Sequence, residues 1–438
     1  MNLAKNMRKY FRRRFRDIVK FDLDVFMKAI KIRRLYDGSK NKPIDDAIVV
    51  FDNTGIKEVL KYDEENKLKE YTSELVDMSE KYMMPGLIDA HTHLLLPGDG
   101  STCEHILANN TLGEIQLIAA KNAYRALKHG VTTVRDCGSL PDLTFSLRNA
   151  IEKGIINGPD LVLCGSPLTT TGGHLHCFQG EVDGVEEVRK LVRKQFKKGA
   201  NYTKLIVDWG GSIGIVKGAL NFTLEELNAA VSETHRLLSK ATAHCLSIEG
   251  IRLALDANVD GIEHCNPINS DGNVIYDPKL NEMIAKRGVI LCNTIQAGNG
   301  TIKYLLDKDE LTEQENIELA EHQKCENNEM EIMRLQIKDG VSCVAGSDAG
   351  WRYTKFGELY IGLVMMSQVG MKNLEIINSS TGASATYLDL DHKLGFIKPG
   401  LQADLLILDD DPGENIINTG KVHMVFKKGS VVSDFANV

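Results

Sequence analysis

Eight apolar, β-branched segments separated by amphipathic ones run between residues 86 and 394, and this alternation leaves few folds open. The segments begin near Gly86 (GLIDAHTHL), Val131 (VTTVRDCG), Pro159 (PDLVLCG), Tyr202 (YTKLIVDW), Ala241 (ATAHCLS), Gly261 (GIEHC), Val289 (VILCNTI) and Val341 (VSCVAGSDAG). Helix-like runs fit between them. Thr223-Leu224-Glu225-Glu226 and Thr312-Glu313-Gln314-Glu315 both have the spacing of a capping box, in which a threonine and a glutamate satisfy each other's free backbone amides. Strand-then-helix units in succession predict a parallel sheet, and eight of them in about 309 residues predict a (β/α)8 TIM barrel. A doubly wound open sheet would want a glycine-rich phosphate fingerprint after its first strand. Gly298-Asn299-Gly300 and Gly210-Gly211 are only isolated loop glycines. The stretch 296–340 is charged and reads as a solvated helix that overhangs the barrel mouth.

Both ends of the chain read differently. Residues 27–62 hold short alternating strands, Ile30 to Leu35 and Ala47 to Phe51, with turns at Asp37-Gly38 and Asn53-Thr54-Gly55. Leu401 to Leu408, Met424 to Lys428 and Val431-Val432 are strands at the other end. The prediction is one small composite β-sandwich domain, 27–85 and 395–438, flanking a barrel at 86–394 and preceded by a basic extension, 1–26.

The chain has 438 residues, 43% hydrophobic and 26% charged, which excludes a disordered, collagenous or disulfide-scaffold protein. Its net charge of −8 is uneven: residues 1–20 carry eight Lys/Arg and one Asp, so the rest is strongly acidic. Such a body is a poor partner for nucleic acid, since phosphate binding needs a basic surface. The head is read as a solvated helix or a subunit-contact arm, with a membrane-surface helix as the rival, because Phe11, Phe15, Ile18 and Val19 fall near helical spacing. No run of 18 apolar residues and no secretory signal is seen. Nine cysteines without a CxxC pair read as reduced, mostly buried thiols. A cytoplasmic location follows by default, and a homo-oligomer is compatible with the sequence.

In a barrel of this kind the reacting groups stand at the C-terminal ends of strands. The first strand ends in His91-Thr92-His93, and two histidines separated by one residue face the same way. The fourth carries Lys204, the fifth His244, the sixth His264 and the eighth Asp348. Taken singly, each has an ordinary structural explanation: a core histidine, a snorkelling lysine, a helix cap. Together they would be costly to bury without a metal, and six ligand-type groups at one mouth are what a hydrolytic metal site requires.

GLIDAHTH with its preceding Met-Pro, HC at 244–245, EHC at 263–265, GSD at 346–348 and the late KPGLQADLLIL resemble the metal-dependent amidohydrolase superfamily over residues 27–438. YTKLIVDWGG and TTTGGHLH resemble its prolidase-like branch, which includes Xaa-Arg and Xaa-Pro dipeptidases, N-acyl-amino-acid hydrolases and ochratoxin-cleaving amidases. The resemblance implies two Zn2+ ions, or other divalent metals. His91, His93 and Asp348 would bind one and His244 and His264 the other, with a CO2-derived carbamate on Lys204 bridging both. It further implies a metal-bridging hydroxide that cleaves an amide bond of a dipeptide or N-acyl amino acid. Asp348 would carry the proton to the leaving amine, and His174 would contact substrate or stabilise the oxyanion.

His174 also reads as a satisfied loop histidine, and His176 carries less signal still. Trp351 and Arg352 are either pocket residues, Arg352 facing a substrate carboxylate, or a surface pair. Cys245 and Cys265 are expected to pack towards the helix layer. A deaminase of this superfamily would place a glutamate three residues after the fifth-strand histidine, but Ser247 stands there and Glu249 is five away. A cyclic-amide hydrolase of the imidazolonepropionase kind is the alternative; it lacks the bridging lysine. A non-catalytic scaffold is disfavoured because all six ligands are kept.

Overall fold

The computed structural model describes residues 27–71, 75–269 and 273–434. The readings of the basic head therefore lie outside the described residues. In chain order the strands are β1 (Lys28–Leu35), β2 (Ile44–Asp52), β3 (Gly55–Lys61), β4 (Leu75–Pro85), β5 (Leu87–Thr92), β6 (Val131–Asp136), β7 (Asp160–Leu163), β8 (Thr203–Ile206), β9 (Ala241–Ser247), β10 (Gly261–Ile268), β11 (Ile290–Asn293), β12 (Cys343–Ala345), β13 (Leu405–Leu408), β14 (Val422–Lys427) and β15 (Ser430–Asp434).

Strands β5 to β12 answer to the eight predicted ones, but they do not form one closed ladder. β5, β6 and β7 make a parallel three-stranded sheet, and β8 to β12 a parallel five-stranded one. The two sheets touch at single bridges, Leu168 to Leu205 and Thr92 to Ala349. The strands are short at these seams: β7 and β8 have four residues each and β12 has three. Leu168 and Ala349 both lie past the end of their strand, so only single residues reach across. Every strand keeps its C-terminal end on the same side because the pairing is parallel throughout.

Both chain ends contribute to the remaining sheet, ordered β15-β14-β13-β4-β1-β2-β3. It is one continuous seven-stranded sheet where a two-sheet sandwich was expected. It nevertheless curls over itself: Phe51 on β2 and Phe426 on β14, with three strands between them in that order, meet edge to face with centroids 5.1 Å apart. The alternation of β2 explains why both faces are covered. Ala47, Val49 and Phe51 join Ile30, Ile32 and Phe426 on one side, while Ile48 and Val50 pack with Ala29, Leu60 and Leu68 on the other.

Both predicted capping boxes form, Thr223 with Glu226 and Thr312 with Glu315. The second starts the long helix Glu313–Lys338, whose C-terminal half is fixed by buried Ile332, Met333 and Gln336. Gln336 Nε2 donates to the carbonyl of Cys265 at 3.1 Å, which lays this helix beside the end of β10. One face of it is thus turned inward. No helix among the described residues is long and apolar enough to cross a membrane.

Candidate active site and metal centre

Each of the six strand-end residues is brought to one place. Nε2 of His91 and Nε2 of His93 both lie 3.4 Å from Asp348 Oδ1. Ring centroids connect His91 to His264 at 4.9 Å, His264 to His244 at 4.6 Å and His244 to His174 at 5.0 Å. Lys204, 1% exposed, sits among them, and its charge acts on all five imidazoles.

Local backbone makes this convergence. His264, Cys265 and Asp348 take left-handed conformations, with φ of 65°, 54° and 60°. Such φ values are costly for residues with a Cβ and persist only where surroundings enforce them. For Asp348 the enforcement is visible. Asp89 at the core of β5 accepts from Ser347 N at 3.0 Å and from its hydroxyl, and Asp348 N donates to His91 O at 2.8 Å. Gly346 is required there: a Cβ would stand 2.5 Å from Cys292 Sγ and 2.8 Å from His91 Cβ. Gly210 is a second case, where a Cβ would lie 2.2 Å from the His174 ring.

Hydrogen bonds behind the rings fix which nitrogen faces the centre. Nδ1 of His91 lies 2.7 Å from Glu263 Oε2. Burial would raise the Glu263 carboxyl, but Arg135, then Lys204 and His91, hold it well below the usual carboxylate range. An ionised acceptor takes the Nδ1 proton and leaves the Nε2 lone pair pointing at Asp348. His93 Nδ1 donates to Gly138 O at 3.1 Å, with the same result. His244 uses its other nitrogen, Nε2, on Trp209 O at 3.0 Å. Nδ1 of His264 meets Thr294 Oγ1 at 2.7 Å, and Nδ1 of His174 meets Ser212 Oγ at 2.8 Å.

Burial is the first cause that pushes these imidazoles down, His93 to about 4 and the other four well below their ordinary value. All five are neutral at pH 7, the form that coordinates a metal. Burial also pushes the Asp348 carboxyl up to about 7. Two buried polar atoms have no hydrogen-bond partner here: Lys204 Nζ and Asp348 Oδ1. Neutral imidazoles and a carboxylate oxygen, with orphaned polar atoms among them, fit divalent cations. The trio Glu263, His91 and Cys292 is also close enough to suggest an ion. That carboxylate is already taken by His91 and Arg135, however, and burial first of all pushes the Cys292 thiol well up.

The remaining predicted residues fall around this centre. The Trp351 ring meets His174 edge to face at 5.6 Å and tilts against His93 at 6.3 Å. Arg352 is exposed, its Nη1 2.9 Å from His322 Nε2 on the long helix. His176 turns its Nδ1 to Gly173 O at 3.0 Å. Cys245 and Cys265 are buried in the apolar layer with Val188 and Leu205.

The expectation of reduced thiols fails for one pair. Cys103 and Cys177, 74 residues apart, form a disulfide that ties the helix Cys103–Asn109 to the loop carrying His174. Linear spacing gave no sign of it because the fold, not the sequence, brings the loops after β5 and β7 together. The other seven cysteines are free, and the cysteine argument for a reducing compartment falls. Sequence reasoning also passed over Glu263 and Arg135. Arg135 Nη2 donates to Glu263 Oε1 at 2.7 Å, and its guanidinium lies between the rings of Tyr202 and Tyr387. The only sign of Glu263 was its place directly before a ligand-type histidine.

The chain is similar to known proteins along most of its length. The family model described as "Amidohydrolase family" matches residues 82–432. Ochratoxinase from Aspergillus niger is 26% identical over 363 residues, covering 76% of this chain and 71% of that protein. Imidazolonepropionase from Pyrobaculum arsenaticum is 26% identical over 415 residues, 88% of this chain and 92% of its own length. Among solved structures, a Xaa-Pro dipeptidase with methionine bound in its active site has a TM-score of 0.79 at 26% identity, covering 92% of this chain and 99% of that one. The A. niger ochratoxinase structure, at 23% identity and a TM-score of 0.77, shares the fold. The chain belongs to the metal-dependent amidohydrolase family and is a hydrolase of carbon–nitrogen bonds.

Proposed function

We propose that this protein is a binuclear metal-dependent amide hydrolase acting on a dipeptide or an N-acyl amino acid. In this reading β5 to β12 and their helices, residues 86–394, are one (β/α)8 barrel that carries the chemistry. Residues 27–85 with 395–438 are its composite β domain. The observation that carries the reading is the convergence of His91, His93, His244, His264 and Asp348 around a buried Lys204, with Lys204 Nζ and Asp348 Oδ1 lacking any hydrogen-bond partner. His91, His93 and Asp348 would hold one Zn2+ or similar ion and His244 and His264 the other, with Lys204 joining them as a carbamate. When bound, such ions supply an acidified water and a Lewis acid for the amide carbonyl.

The chain's own residues account for the rest. Asp348, within 3.4 Å of His91 and His93 Nε2, would take a proton on its carboxylate and return it to the leaving amine. His174 has Nδ1 committed to Ser212, which leaves Nε2 to meet the substrate carbonyl oxygen. Trp351, packed on His174 and His93, closes one side of the site against water. The similarity to an imidazolonepropionase over most of the chain keeps cyclic amides as a second substrate class.

Metal analysis after mild purification tests the centre; about two ions per chain are expected, and none would end the proposal. A screen of dipeptides, N-acyl amino acids and cyclic amides, with chelated enzyme as control, tests the reaction. Turnover of cyclic amides alone would replace the linear-amide reading.

A further inference from the structure

The long helix Glu313–Lys338 offers the centre a stripe of side chains at helical spacing: His322, Glu326, Glu329, Met333 and Gln336. Met333 and Gln336 are its buried base. Above them Glu329 Oε1 accepts from Asn266 Nδ2 at 2.9 Å, and Asn266 stands two residues past His264. Glu326 Oε1 accepts from Asn299 Nδ2 at 3.0 Å, and His322 faces Arg352. The helix therefore lines the mouth of the site with carboxylates at its deeper end.

Glu329 is half-buried and has no cationic partner among the described residues. Its recorded partner is a neutral amide, and the charged groups that act on it, Glu326 and Asp348, are both acidic. Burial, followed by those two neighbours, pushes its carboxyl up to about 7 against the Asn266 hydrogen bond. Among the described residues no Lys, Arg or His is recorded in an ion pair with Glu329 or Glu326. The negative charge of Asp348 is among those that act on Glu329. A half-buried carboxylate beside other acids, with no ion pair to a cation of its own chain among the described residues, suits a cation that arrives from outside.

We propose that Glu329 is a specificity-determining residue that receives a cationic group of the substrate, either the α-ammonium of an unblocked dipeptide or a basic side chain. This rests on the amide-hydrolase reading and narrows it: a free cation is preferred to its neutral, acylated counterpart. The role is one of positioning and selection, so it acts on pairs of substrates that differ in one charge.

The experiment compares wild-type holoenzyme with Glu329→Gln, a near-isosteric change, using Leu-Leu against N-acetyl-Leu-Leu, and N-acetyl-Leu-Lys against N-acetyl-Leu-norleucine. In the variant kcat/KM falls about 10- to 100-fold for the cationic member of one pair, while its neutral counterpart changes less than about threefold. Loss in the first pair identifies the α-ammonium, and loss in the second the side chain. Each ratio is taken within one protein preparation, so partial misfolding cancels. Equal change in both members of both pairs overturns the proposal. Calorimetric binding of L-leucinol, a cation with no amide to cleave, is measured against N-acetyl-leucinol in parallel. About tenfold weaker binding of leucinol alone in the variant is expected where the α-ammonium is the group received; equal binding by both proteins, together with equal change within both substrate pairs, overturns the proposal. Leucinol bound by wild type that cleaves no amide would retain the cation site and sink the hydrolase reading instead.

Discussion

His91 gives its Nδ1 to Glu263 Oε2 at 2.7 Å, and the other oxygen of that carboxylate takes Arg135 Nη2 at the same distance. One fully buried acid thus sets the orientation of a ligand-type histidine and neutralises a guanidinium beneath it. Glu263→Gln separates the two duties. Metal affinity is expected to fall about 10- to 100-fold in chelator competition, because the imidazole loses its charged acceptor. Stability is expected to fall by about 3–5 kcal/mol, because Arg135 is left uncompensated in the interior. Unchanged metal affinity would detach Glu263 from the centre.

Lys204 makes the opposite prediction for stability. Its ammonium is buried and orphaned, so removing it relieves a cost in protein stripped of metal. Lys204→Met is expected to melt higher than wild type after chelation, while losing most activity and at least one of the two ions. A variant that retains wild-type rates would refute the carbamate bridge.

The Cys103–Cys177 bond closes a 74-residue separation and anchors the chain three residues from His174. Replacing both cysteines by serine should cost about 2–4 kcal/mol in chemical denaturation. Activity should fall with it if the tether holds His174 against Ser212 and His244. A double variant with unaltered stability would show the link to be dispensable.

Asp160, at the start of β7, meets Lys393 at 3.2 Å, Lys427 at 3.3 Å and Lys428 at 3.2 Å. Burial works against ionisation, but Lys427, Lys393 and Lys428 hold the carboxyl well below its usual range. A depressed carboxyl stabilises above its unfolded pKa, and that contribution fades as pH falls towards the folded value. Asp160→Asn is therefore expected to lower stability by roughly 1–3 kcal/mol near pH 7, with the gap closing below about pH 4. A gap that persists into acid would mean that packing, not charge, is responsible.

Features written in short stretches of chain were legible. His91-Thr92-His93 and the strand-end positions of Lys204, His244, His264 and Asp348 depend on local alternation, and the structure brings them together. The capping boxes at Thr223 and Thr312 are local as well. Strand β4 drew no strand reading: Asp77, Glu80 and Lys81 interrupt its apolar pattern, and only Tyr82 to Pro85 are buried. Contacts between distant segments left no linear trace. Arg135 and Glu263 meet across 128 positions. Glu329 lay in a helix whose charge suggested water on every side, and only the grip of Gln336 on Cys265 reveals its inward face.

The seven-stranded sheet also sets an order of assembly. β4 needs β13 beside it, pairing Pro85 with Leu405, yet about 320 residues separate them. On a ribosome adding about 5–20 residues per second, the N-terminal strands wait roughly 16–64 seconds with an unpaired edge. A chain that stops short of Leu405 leaves that edge open permanently, and exposed strand edges recruit other chains. Premature termination of this protein should therefore yield aggregates rather than a smaller active enzyme.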